Sequence, residues 1–160
     1  MAKYTDHPHI YIPPPTFFVL FFVIGIVLSR LHPLHCQMLP DAAHKILGGI
    51  FFLGGGIVGL LGLLRFLKAK TTFATFQPAN SLQTEGIYAC SRNPMYLGLF
   101  LVYLGLSLWI ISPWNIAMIP LLYLTVRIYI IHREEKYLGN RFGQSYSDYR
   151  NKVRRWLGRK

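Results

Sequence analysis

Four apolar runs constrain the fold of this chain more than any other feature of its sequence. A bilayer core of about 30 Å requires about 20 helical residues, and about 17 is the short limit. The second run is comfortably long, the third and fourth are adequate, and the first is short. With 52% hydrophobic residues and only 6 acidic ones, the composition favours an integral membrane protein over a soluble domain. The runs cover 16–31, 46–67, 95–112 and 114–131.

The predicted fold class is therefore an all-α integral membrane protein, with about four transmembrane helices and a C-terminal cytoplasmic amphipathic helix. The first run follows three prolines rather than a basic segment, so we interpret it as a retained helix and not as a signal peptide. Residues 1–160 are expected to form a single membrane domain. Its predicted parts are a leader (1–15), spans one and two (16–67), a cytoplasmic loop (68–94), spans three and four (95–131) and a cytoplasmic basic tail (132–160).

The net charge of +11 is concentrated between spans two and three and after span four. Four spans place both regions on the same side, and lysine and arginine mark the cytoplasmic face. We therefore expect a multi-pass protein with both termini in the cytoplasm, whose tail meets membrane lipid rather than nucleic acid. The spacing of His32, His35 and Cys36 matches no strong metal pattern, so no metal site is predicted.

Span two carries glycines on one face, which allows another helix to approach closely or a second copy to pack there. Gly48, Gly55, Gly59 and Gly62 form this face. The sequence leaves the oligomeric state open.

Three helix boundaries have recognisable signals. Asn93 is suited to cap a helix that begins at Pro94. Gly143 is a plausible end for a helix that continues span four out of the bilayer. Ser145 and Asp148 resemble a capping box, opening a helix whose apolar positions would be Tyr146, Tyr149, Val153 and Trp156 or Leu157.

Polar residues cluster where spans three and four meet the predicted cytoplasmic face. Glu134 and Glu135 are either a solvated helix face or a site for a cation or for ribose hydroxyls. Arg92 beside a helix start would attract a carboxylate or phosphate, although it can equally reach lipid headgroups. Tyr88 and Tyr96 are suited to stack on a base or to offer a π face to a cation.

The segments 82–88, 92–98 and 133–138, with Phe142, Gly143, Tyr146, Tyr149 and Val153 after them, resemble the isoprenylcysteine carboxyl methyltransferase and phospholipid methyltransferase family. The resemblance implies an integral membrane methyltransferase that uses S-adenosyl-L-methionine, with the active site on the cytoplasmic side. Segment 68–94 would be the cofactor loop, and segment 132–160 would also bind the cofactor. The residues implied to bind the cofactor are Leu82, Gln83, Tyr88, Asn93, Pro94, Tyr96 and Glu134. Arg92, Glu134 and Glu135 would position the reactants.

Substrate binding is where the chain departs from the family. Ile130 occupies the place of an arginine that is linked to substrate binding in animal carboxyl methyltransferases, so Arg127 or Arg133 is expected to substitute. The acceptor is predicted to be lipophilic and to enter from the lipid: a prenylated cysteine, a lipid amine or another hydrophobic acid. An amine would need a base, for which His132, Glu134 and Glu135 are candidates. A non-catalytic membrane scaffold is the alternative from a different class.

Overall fold

The computed structural model describes residues 10–34, 40–68 and 81–160, and within these ranges the chain is helical with no β-strand. Residues 1–9 of the predicted leader and 69–80 of the predicted cofactor loop therefore lie outside the described residues, as do His35 and Cys36. A π-helical segment, Val126–Ile131, joins α4 to α5, and a 3₁₀ turn, Gly86–Ala89, precedes α3. The α-helices are α1 (Pro14–Leu31), α2 (Asp41–Lys68), α3 (Pro94–Trp109), α4 (Pro113–Thr125), α5 (His132–Phe142) and α6 (Gln144–Lys152).

Three helices are long and apolar enough to cross a membrane: α1, α2 and the continuous helix Pro113–Phe142. The apolar helix α3 has 16 residues, or about 24 Å of helix. The predicted all-α integral membrane class is confirmed. Helix α2 begins at Asp41, earlier than its apolar run, because an acidic residue is favourable at a helix N-terminus. The apolar part of Pro113–Phe142 ends at Ile131, and the charged helix α5 continues beyond it.

The glycine face of α2 packs against α3, which confirms the predicted close approach. A Cβ atom at Gly55 would lie 2.7 Å from the carbonyl oxygen of Gly98, and one at Gly105 would lie 2.5 Å from the backbone nitrogen of Phe52. No other residue fits at such distances. In this structure the face is therefore occupied by a helix of the same chain rather than by a second copy.

Helices α1 and α4 are joined by a small polar cluster, which we call the serine–asparagine cluster: Ser29, Ser112 and Asn115. The Ser29 and Ser112 hydroxyl oxygens lie 2.8 Å apart, and Ser112 Oγ donates to Asn115 Oδ1 at 2.7 Å. Asn115 is fully buried, and its Nδ2 donates to the carbonyl oxygen of Phe22 at 3.1 Å. Gly25 leaves the space that the amide occupies, since a Cβ there would lie 2.5 Å from Asn115 Oδ1.

The π-helical segment changes which residues face the interior at the end of span four. The backbone N–H of His132 donates to the carbonyl oxygen of Arg127, five residues back. The wider turn allows both Ile130 and Ile131 to be completely buried. Because π-turns shift the helix by one residue, this segment also sets the direction in which Glu134 and Glu135 project.

The helix boundaries agree only partly with the sequence signals. Helix α3 does begin at Pro94 and α5 does end at Gly143, which has a φ of 52°. However, the Asn93 side chain makes no cap, because its Nδ2 donates instead to the carbonyl oxygen of Arg155 at 3.0 Å.

The predicted capping box at the start of α6 is wrong. The helix begins at Gln144 without a side-chain cap, and Gln144 Nε2 donates to Asp148 Oδ1 at 2.8 Å. The expected continuation through Trp156 is also wrong, since α6 ends at Lys152 and Val153 is extended.

Residues 153–160 are the last part of the predicted basic tail, and from here on we use the word tail for these residues alone. They turn back across the end of the bundle. The backbone N–H of Arg92 donates to the carbonyl oxygen of Arg154, and that of Gly158 donates to the carbonyl oxygen of Cys90. Trp156 packs edge-on against Phe100, with ring centroids 5.7 Å apart. The tail thus contacts both the segment that precedes α3 and α3 itself.

Candidate functional site

A cavity lies where the end of α2, the start of α3, the 3₁₀ turn, α5 and α6 meet. Its wall combines apolar and aromatic side chains with a few convergent polar groups, as is usual for small-molecule sites. The lining residues are Phe66, Ser81, Leu82, Gln83, Tyr88, Arg92, Asn93, Met95, Tyr96, Glu134, Glu135, Leu138, Tyr146 and Tyr149.

Glu134 is the acidic group most available to a ligand. The Tyr96 hydroxyl donates to Glu134 Oε1 at 2.7 Å. The pKa of the Glu134 carboxyl, which lies beyond the end of the apolar span, is raised to about 7. Burial is the main cause, the hydrogen bond from Tyr96 opposes the rise, and the negative charge of Glu135 adds to it. Near neutral pH this carboxyl is thus divided between its charged and neutral forms.

Glu135 is already bound by two arginines. Arg155 reaches it with two parallel hydrogen bonds, Nε to Oε1 at 2.9 Å and Nη2 to Oε2 at 2.8 Å. Arg92 lies 3.2 Å from Oε1, and both of these side chains are nearly buried, at 7% exposed for Arg92 and 13% for Glu135. The hydrogen bond to Glu135 also raises the pKa of Arg155. Glu135 therefore holds the cationic side of the cavity together and is not free for a ligand.

Aromatic residues form much of the remaining wall of the cavity. The Tyr149 hydroxyl donates to the carbonyl oxygen of Tyr88 at 2.7 Å, and the ring of Phe66 meets that of Tyr88 edge-on at 5.5 Å. Arg92 Nη1 donates to the Tyr146 hydroxyl at 3.3 Å. Burial raises the pKa of Tyr146 to about 12 and that of Tyr88 further above its ordinary value. These phenols stay neutral and can donate hydrogen bonds.

Two polar atoms in the cavity wall are buried without a partner within the described part of the chain: Tyr88 Oη and Arg92 Nε. Buried polar groups are normally satisfied, and each that is not needs an explanation. Other such atoms among the described residues belong to Arg65, His44 and Tyr103, none of which lines this cavity. The two cavity atoms are what a site for a polar ligand would leave open.

The structure brings most of the residues singled out in the sequence to this one cavity, and places the others elsewhere. Pro94 is buried beneath the start of α3 and does not line it. Arg133 lies over the ring of Tyr129, 4.4 Å from its centroid. Arg127 and His132 line a separate groove. The predicted residues in the cavity wall are Leu82, Gln83, Tyr88, Arg92, Asn93, Tyr96, Glu134 and Glu135.

Sequence reasoning missed Phe66, Met95 and Leu138 in the wall and Arg155 behind it. The apolar residues follow the helical pattern of core positions and carry no signal of their own. Arg155 belongs to a run of basic residues that is typical of a lipid-facing tail. The scarcity of acidic residues is the only signal that could have indicated that one of those arginines binds Glu135.

The fold and the cavity define an all-α integral membrane protein with a cavity at the end of its spans that is lined by aromatic side chains and a few polar groups. A family model described as phospholipid methyltransferase matches residues 43–145. That match covers more than half of the chain and includes α2, α3 and α5, which build the cavity. The chain belongs to the phospholipid methyltransferase family.

Individual relatives match shorter stretches of the chain. A Haemophilus influenzae protein described only as uncharacterized is 40% identical over 63 residues, which are 39% of this chain and 100% of that protein. The protein-S-isoprenylcysteine O-methyltransferase of Tribolium castaneum is 39% identical over 75 residues, 45% of this chain and 26% of the relative. The enzyme of the same name from Saccharomyces cerevisiae is 34% identical over 74 residues, which are 45% of this chain and 30% of that relative. The chain thus matches less than a third of each of these two enzymes, and no solved structure matches it.

Proposed function

We propose that this chain is an S-adenosyl-L-methionine-dependent methyltransferase acting on a lipophilic acceptor at the cytoplasmic face of the membrane. The observation that carries the proposal is the pair of unpartnered atoms, Tyr88 Oη and Arg92 Nε, in a cavity that also holds the accessible Glu134. Family membership supports the reaction class, and the basic residues near this end of the spans support the sidedness.

The donor set fits the chemical groups of S-adenosyl-L-methionine. Arg92 Nε suits its carboxylate. Glu134 suits its ammonium or ribose hydroxyls, and Tyr88 and Tyr96 suit its adenine or its positive charge. When bound, the cofactor would supply an electrophilic methyl group on a sulfonium sulfur.

The chain's own contribution is positioning and exclusion of water. Transfer forms a bond from the acceptor's oxygen or nitrogen to the methyl carbon and breaks that carbon's bond to sulfur, so a carboxylate acceptor needs no base. Glu135 fixes Arg92 through their ion pair, and the tail closes the wall behind them. A lipophilic acceptor would enter between the helix ends directly from the membrane.

Calorimetric binding of S-adenosylhomocysteine to detergent-purified protein tests the cofactor site. Glu134→Gln should weaken binding tenfold or more, about 1.4 kcal/mol. Asp148→Asn is the matched control, because this exposed acid on α6 accepts a hydrogen bond from Gln144 outside the cavity and should leave affinity unchanged. An absence of binding by folded, lipid-supplemented protein would contradict the proposal and favour the scaffold alternative.

Phospholipid N-methylation is the second candidate, and the match to a family model described as phospholipid methyltransferase favours it. An ammonium acceptor must lose a proton, and Glu134, with its pKa raised to about 7, is the acid in the cavity wall best matched to accept it. Incubation with methyl-labelled S-adenosyl-L-methionine and either S-farnesylcysteine or phosphatidylethanolamine separates the two. Label in the farnesylated acid indicates O-methylation, and label in the phospholipid indicates N-methylation.

A further inference from the structure

A second concave surface lies at the same end of the spans as the cavity, on the outer side of the helix Pro113–Phe142. This groove holds about 780 Å³, counted with its opening, and is lined by Leu124, Arg127, Ile128, His132 and Arg155. We call it the arginine groove. The cavity and the groove have no lining residue in common.

Arg127 is the most informative residue of the groove. It lies within the apolar span, is exposed, and has no hydrogen-bond or ion-pair partner for its side chain among the described residues. Charged residues inside a span are costly and usually mark a functional site or a contact with lipid headgroups. His132 follows it by five positions, which is about 7.5 Å along the helix axis. The side chain of Arg127 can therefore extend to the membrane surface.

The groove has an apolar part within the span and a cationic part near the end of the helix, which is the order of the acyl chains and headgroup of a lipid. Leu124 and Ile128 are 46% and 65% exposed and lie on the same face as Arg127, where acyl chains would pass. His132 and the tail residue Arg155 lie further towards the end of the helix. Glu135 partly neutralises the charge of Arg155. Among the described residues that line the groove, Arg127 is therefore the arginine whose positive charge is not compensated.

No carboxylate is among the described residues that line this groove. A zwitterionic headgroup carries an ammonium that would find no acidic partner there, whereas a net anionic headgroup needs only cations. Basic pockets at the membrane boundary bind such headgroups, and each nearby arginine contributes about 1 kcal/mol. We propose that the arginine groove binds the phosphate of an anionic membrane phospholipid, at a site separate from the cavity.

The test is native mass spectrometry of detergent-purified protein incubated with equal amounts of phosphatidylglycerol and phosphatidylcholine of identical acyl chains. Wild-type protein should retain the anionic lipid in preference to the zwitterionic one. Arg127→Gln should reduce that preference about fivefold, and Arg127→Lys should keep most of it. Because Arg127 is exposed, neither substitution removes a packing contact of the core.

Arg30→Gln is the matched control, since Arg30 is an exposed arginine at the opposite end of the spans, in the last turn of α1. It should leave the lipid preference unchanged. Equal retention of the two lipids by wild-type protein would overturn the proposal, as would a preference that survives Arg127→Gln or that Arg30→Gln abolishes equally. The measurement requires no methyl transfer, so its outcome is independent of the proposed function.

Discussion

The polar groups of the serine–asparagine cluster and those of the cavity wall are arranged in opposite ways. In the serine–asparagine cluster, Ser29, Ser112 and Asn115 satisfy one another and the backbone of α1. In the cavity wall, Tyr88 Oη and Arg92 Nε are buried without partners among the described residues. Polar groups that only join helices complete their own hydrogen bonds, whereas groups arranged for a ligand keep some of that capacity open. The difference separates structural from functional polarity within one small protein.

Among the substitutions that test this difference, Asn115→Ala is expected to have the largest effect, on the free energy of unfolding. The substitution removes the bonds that the fully buried amide makes to Phe22 O and to the Ser112 hydroxyl, and it leaves a cavity in place of the amide. We expect a loss of about 2 kcal/mol of unfolding free energy, measured by denaturation in detergent, with the affinity for S-adenosylhomocysteine unchanged. A large loss of affinity at unchanged stability would mean that the serine–asparagine cluster and the cavity wall are not independent.

The pH dependence of binding gives the next effect. The pKa of Glu134 in the folded protein is about 7, above its ordinary value of 4.5, so the folded state keeps its proton to higher pH than the unfolded state does. Its contribution to stability therefore falls as pH rises from 4.5 to about 7 and is constant above that. The ionised form that would hold a cation predominates only above a pH of about 7.

Affinity for S-adenosylhomocysteine should consequently fall about tenfold between about pH 8 and about pH 6, and Glu134→Gln should abolish this dependence. Tyr96→Phe should move the transition to higher pH, because the Tyr96 hydroxyl lowers the pKa of Glu134. An identical profile in wild type and Glu134→Gln would assign the titration to another group. The serine–asparagine cluster contains no group that titrates in this range.

The smallest effect is expected from Tyr88→Phe, which removes a hydroxyl that has no partner in the described part of the chain. Stability should change by less than about 0.5 kcal/mol, while ligand affinity falls about fivefold, close to the net value of one hydrogen bond. Tyr149→Phe is the matched control, because that hydroxyl already donates to Tyr88 O. Its loss should reduce stability, and if Tyr88→Phe did the same, Tyr88 would be a structural residue.

The parts of the fold that depend on local sequence could be predicted, and those that depend on the tail could not. Apolar length indicated the spans, Pro94 the start of α3, and Gly143 the end of α5. The prediction that the Asn93 side chain caps α3 was wrong, because Asn93 Nδ2 donates to the carbonyl oxygen of Arg155, 62 residues later. No periodicity encodes such a contact.

The candidate site shows the same division. Glu134, Glu135 and Arg92 stood out because acids are scarce and because they flank apolar runs. Their unequal roles were not predictable, since Glu135 is distinguished from Glu134 only by the approach of arginines, of which Arg155 comes from the tail. The π-helical segment, which sets the direction of both carboxylates, has no signal in the sequence that we recognised.

The tail has a consequence for the order in which the protein matures. Arg155 and Trp156 are synthesised after helices α1 to α6, yet they close the wall behind Glu135 and pack against Phe100. While a nascent chain is still entering the membrane, Arg92 is the arginine available to Glu135 from the part already made. The cavity is thus expected to take its final form in a late step of biosynthesis, after the spans are inserted, and not gradually during insertion.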